Sequence, residues 1–111
     1  MSKNRPFTAL NPKSVKIDYP KTYKDITEWL TKSATEGNIL TEEMIQAFIY
    51  GNPRFLYDYF DDRDILINIT YTGELFVYWN NIDRNSRTAG TRKAAEEAAF
   101  ETALEIQESR L

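Results

Sequence analysis

The stretch that decides the fold is Ile65-Leu66-Ile67-Asn68-Ile69-Thr70-Tyr71-Thr72-Gly73-Glu74-Leu75-Phe76-Val77-Tyr78-Trp79. Large apolar side chains recur through it at every second position, the period of a strand, and a glycine interrupts it near the middle. With Thr72-Gly73 as a two-residue turn, Tyr71 opposes Glu74, Ile69 opposes Phe76 and Ile67 opposes Tyr78, which makes one face of a hairpin over 65–80 strongly apolar. The other face pairs Leu66 with Trp79, Asn68 with Val77 and Thr70 with Leu75. It too is rich in large apolar groups. Either helices cover both faces or the second is offered to a partner, and the number of helices expected favours coverage by the closing helix.

Downstream, residues 80–90 read as a polar loop carrying Arg84 and Arg87, long enough to be mobile. Thr91 is a suitable N-cap for a long C-terminal helix. Ala95, Ala99, Ala103 and Ile106 form its packing stripe, with Phe100 at the edge, and small residues there let a helix lie close to a sheet. Glu97, Glu101, Glu105 and Glu108 form a stripe expected to stay solvated.

The run Thr91-Arg92-Lys93-Ala94-Ala95-Glu96-Glu97-Ala98-Ala99-Phe100-Glu101-Thr102-Ala103-Leu104-Glu105-Ile106 resembles the last helix of double-stranded-RNA-binding domains, over 16 of 111 residues. That helix begins Ser-Lys-Lys-x-Ala-Lys, continues Ala-Ala-x-x-Ala-Leu, and packs on an antiparallel sheet. Arg92 and Lys93 match its first two cations, and Ala95, Ala98, Ala99, Ala103 and Leu104 match its packing positions. The resemblance implies that Arg92 and Lys93 bridge phosphates while duplex shape is read. Glu96 stands where the family has its third cation, and the family's first helix and Gly-Pro-His loop have no counterpart.

Upstream of the hairpin the pattern turns helical. Thr22 followed by Asp25 resembles a capping box, and Tyr23, Ile26, Trp29, Leu30 and Ala34 share one face of the helix that follows. Glu36-Gly37-Asn38 breaks it. Thr41 caps a second helix with Met44, Ile45, Phe48 and Ile49 as its core stripe, which Gly51 closes; Asn52 and Pro53 open a third, with Phe55, Leu56, Tyr59 and Phe60 inward. Tyr57 and Asp58 project from its other side. Val15, Ile17 and Tyr19 alternate with Lys16 and Asp18, which predicts an edge strand over 14–19 ended by Pro20. Residues 1–13 read as a flexible basic arm, and 14–111 as a single α+β domain: a small antiparallel sheet with two or three short helices and a long C-terminal one.

Composition narrows the chemistry. Histidine and cysteine are both absent, which removes the commonest general base, the usual soft metal ligands and disulfides. Asp58, Asp61, Asp62 and Asp64 cluster without the alternating ligands, mid-loop glycine and closing glutamate of a calcium loop. No metal, cofactor or catalytic role is expected. No apolar run approaches the roughly 20 residues of a membrane span, and the expected location is the cytoplasm.

Charge is uneven. Six cations face one carboxylate up to residue 24, and eight face sixteen thereafter. With 7 Tyr, 6 Phe and 2 Trp, this balance points to a non-enzymatic protein-binding module, of the kind a phage or mobile element encodes as a small regulator or inhibitor. The contact candidates are Tyr57, Trp79, Arg84 and Arg87; a homodimer through the hairpin's second face is a simpler variant. The alternative is duplex nucleic-acid binding by the arm with Arg84, Arg87, Arg92 and Lys93.

Overall fold

A computed structural model of the chain describes residues 12–33 and 40–111. Among these residues five helices and three strands run in the order α1 (Pro12–Asp18), α2 (Pro20–Ser33), α3 (Glu42–Gly51), α4 (Pro53–Asp62), β1 (Ile67–Tyr71), β2 (Phe76–Asn80), β3 (Arg87–Ala89) and α5 (Arg92–Arg110). The fold is α+β. The strands form an antiparallel meander, β1-β2-β3. Among the described residues no helix is long and apolar enough to cross a membrane.

Where an edge strand was expected over 14–19, the chain is helical. Val15 and Tyr19, four apart, are buried, while Ile17 between them is 73% exposed. The apolar triplet therefore satisfies a helical period at its ends and a strand period only on paper. Pro12 opens α1, so the last two residues of the expected arm belong to this helix, and residues 1–11 lie outside the described residues. Pro20 starts α2 rather than ending a strand, since a first helical turn has no use for the missing N–H. Ala34 and the expected break at 36–38 also lie outside the described residues.

Thr22 accordingly lies inside α2, and the carboxylate that caps this helix comes from α5. The backbone N–H groups of Lys21 and Thr22 donate to Glu108 at 3.2 and 2.8 Å. Glu108 thus leaves the solvated stripe to which its spacing assigned it. Thr41 and Asn52 do cap α3 and α4, accepting from the N–H groups of Met44 and Phe55.

The hairpin pairs Ile67 with Asn80, Ile69 with Tyr78 and Tyr71 with Phe76, two residues away from the expected register. Gly73-Glu74, not Thr72-Gly73, make the reversal: the Thr72 N–H donates to the Leu75 carbonyl and Gly73 holds a φ of 103°. That positive φ at the first turn position suits glycine. A two-residue shift preserves which side chains share a face. The expected mobile loop is instead pinned and ends in β3. The Asn80 side chain accepts from the N–H groups of Ile82 and Asp83, and Arg87 pairs with Asp83.

Helix α5 joins two packed regions. Ala95 and Ala99 in its first half lie against Tyr78, Ile67 and Ile69 of the sheet. Phe100, Ala103 and Leu104 belong to the larger core among α1 to α4, with Tyr59 and Phe60 at its centre. A polar clasp ties α2, α4 and the second half of α5 together: Asp25 of α2 accepts from the Tyr59 hydroxyl, from both Nε and Nη2 of Arg63, and from Gln107 of α5.

Candidate functional site

Helix α5 covers the sheet face made by Ile67, Ile69, Phe76, Tyr78 and Ala89. By strand alternation Leu66, Asn68, Thr70, Leu75, Val77, Trp79 and Thr88 occupy the opposite face. The closing helix does not cover it, contrary to expectation. Leu66 is 47% exposed, Leu75 43% and Trp79 38%, with Ile82 at 42% in the turn beyond β2. Asn68 pairs with Trp79, and Thr70 with Val77, so polar and apolar side chains interleave across the strands.

The backbone around this face is firmly held. Asn81 extends the β1–β2 ladder by accepting from the Leu66 N–H and donating to the Asp64 carbonyl. Arg84 donates its N–H to Asn80 and adopts a φ of 59°, a strained left-handed conformation for a side-chain-bearing residue. It is exposed beyond the end of β2 that carries Trp79. An exposed tryptophan on a held strand has the chemistry of a binding centre.

The other residues singled out from sequence are dispersed. Tyr57 is half-buried, packed edge-on against Phe100 at 5.0 Å, and donates its hydroxyl to Glu96 at 3.1 Å. Burial first, and then Glu96, push its phenol well above the ordinary range. Its role is to tie α4 to α5. Arg87 sits on the covered face opposite Tyr78, at one end of a cleft of about 620 Å³ between β3 and α5 that Ala98 and Glu101 also line. Burial raises the Tyr78 phenol pKa; Arg87 counters this and Glu101 adds to it.

Arg92 lies over the Phe76 ring at 5.6 Å, at the turn end of the hairpin. Lys93 lines a separate pocket of about 330 Å³ with Ile49, Pro53, Glu96, Glu97 and Phe100. Burial raises the Glu97 pKa; Lys93 opposes that and Glu96 reinforces it. Helix rise puts about 13 Å along α5 between Arg92 and Glu101, which lines the same cleft as Arg87. Arg92 and Lys93, adjacent in sequence, thus meet different surroundings, the Phe76 ring and the pocket lined by Ile49 and Pro53.

Asp58, Asp61, Asp62 and Asp64 do not converge either. Asp62 accepts from the Trp29 indole N–H at 2.7 Å, and Asp64 turns the chain with a φ of 61°. Among the described residues no group of three or more carboxylates is placed to hold a metal ion.

Sequence reasoning missed one surface. Met44 was assigned to the core stripe of α3, yet it is 42% exposed, while Ile45 and Ile49 are buried. It lines an apolar groove with Ala47, Gly51 and one side of Phe48, whose ring also packs against the core and lies 5.4 Å from Phe55. Their i, i+3, i+4, i+7 spacing was the available signal. Compared with protein-family models, curated proteins and solved structures, the chain matches none.

Proposed function

We propose that this chain is a small cytoplasmic, non-enzymatic protein-binding module that takes its partner on the open face of the sheet. The observation that carries the reading is Trp79, 38% exposed on a paired strand opposite Asn68, on the sheet face that also carries Leu66, Val77 and, at the turn end, Leu75. A rigid aromatic group on a firm sheet loses little conformational entropy on contact, which is why such groups dominate interface energies. Arg84 supplies a polar rim. The size and composition fit a regulator or inhibitor of the kind phages and mobile elements encode.

Nucleic-acid binding draws less support. A duplex-binding surface gains affinity from each cation that meets phosphate at once, and here Arg87 is paired with Asp83 while Arg92 and Lys93 share their end of α5 with Glu96 and Glu97.

Capture from nuclease-treated host lysate tests the reading, with the wild type, Trp79→Ser and the double variant Arg92→Glu/Lys93→Glu side by side. The expected result is a protein retained by the wild type and the double variant and lost by Trp79→Ser. Nuclease-sensitive capture, abolished in the double variant, would overturn the reading in favour of nucleic acid. Retention of a second copy of the chain alone, lost with Trp79→Ser, would replace the partner with a homodimer through this face.

A further inference from the structure

Met44, Ala47, Phe48 and Gly51 line, with Asn52, a groove of about 380 Å³ on the outer side of α3. We propose that this stripe is where two copies of the chain meet, α3 against α3, antiparallel about a two-fold axis. Such an axis passing between Ala47 and Phe48 sets Phe48 against Ala47 of the second copy and Met44 against Gly51 of the second copy. Each large side chain meets a small one, and the match is made twice, as an isologous contact requires. At the crossing the small Ala47 leaves room for the Phe48 ring of the second copy.

Gly51 is the residue that own-chain folding does not explain. It lies in the last turn of α3, lacks a positive φ, and a Cβ added to it would meet nothing within 4 Å. In the middle of a helix a glycine costs roughly 0.5–1 kcal/mol relative to alanine, and the last helical residue bears part of that cost. The α3 cap is Asn52, so no left-handed cap is involved either. Close approach by another helix does require the missing side chain.

Charge agrees with the same axis. Glu43 lies at the start of α3 and Arg54 just past its end, both exposed, and neither forms an ion pair with a described residue. Antiparallel pairing brings Arg54 to the end of the second copy where Glu43 stands. The opposed helix dipoles are favourable in the same arrangement. A ten-residue helix buries less than the ~800 Å² per partner of a standard interface, so the dimer is weak, with a dissociation constant on the order of 0.1 mM. The groove lies on a different element from Trp79, which keeps self-association separable from partner binding.

Sedimentation equilibrium of the full chain from about 0.01 to 1 mM tests this. The wild type is expected to rise in average mass towards a dimer. Gly51→Gln, for which the free protein has room, is expected to stay monomeric with an undiminished thermal midpoint. Glu43→Arg is expected to weaken association, and Glu43→Arg with Arg54→Glu to restore it. A wild type that stays monomeric throughout overturns the proposal. So does an association that survives both Gly51→Gln and Glu43→Arg, a result that would assign it to another face.

Discussion

Asp25 gathers a hydroxyl, a guanidinium and an amide from α4, its following turn and α5, and it is the residue on which the mutual placement of those helices depends. Burial disfavours its charge, but the bonds from Arg63 and Tyr59 outweigh burial and hold its carboxyl below the ordinary value. Glu108 is likewise held low: burial opposes ionisation, and the N–H groups of Thr22 and Lys21 overcome it. Both groups are more acidic folded than unfolded. Their stabilisation is therefore complete above the unfolded carboxyl range near pH ~4 and is lost as pH falls below it through the folded values. Urea unfolding at neutral and at acid pH checks the sign: the midpoint is expected to drop on acidification, and to drop less in Asp25→Asn. Asp25→Ala, which strands Arg63 and the Tyr59 hydroxyl, is expected to cost about 2 kcal/mol at neutral pH, below the fully buried limit because both charges keep some solvent contact.

At the scale of elements, α5 works because its stripe is small. Ala99 is 5% exposed against the sheet, and Ala99→Leu is expected to cost about 1–3 kcal/mol by forcing helix and sheet apart. Thr91→Ala removes the acceptor for the Ala94 N–H and is expected to cost about 1 kcal/mol, both values read from urea unfolding. These features were legible because the alanine period, the cap and the alternating hairpin each write a local pattern. The element that was misread, α1, is only 7 residues long, and three alternating apolar residues in so short a span satisfy either period. Glu108 and Asp25 were misplaced for a different reason. Their partners lie 86 and 38 residues away, and a bond across that distance leaves no mark on local spacing. β3 was hidden because three residues carry no period and its entry turn is built by the Asn80 side chain.

In the whole molecule, one long helix covers one face of a small sheet and then continues into a helical core, which leaves the other face of the sheet in solvent. The alternation of Leu66, Val77 and Trp79 made that face visible in sequence, but whether anything covered it depended on where α5 would lie. The register error did not affect the outcome, since a shift of two residues keeps every side chain on its own face. The open face and the outer groove of α3 give the chain two separate surfaces, one proposed for a different protein and one for its own copy. The most direct measurement is calorimetric titration of the captured partner against the wild type, Trp79→Ala and Arg92→Glu/Lys93→Glu. Binding weaker by at least tenfold in Trp79→Ala, the order expected of a central aromatic contact, with little change in the double variant, is the result predicted. Equal affinity of Trp79→Ala and the wild type would contradict the assignment of the open face as the binding site.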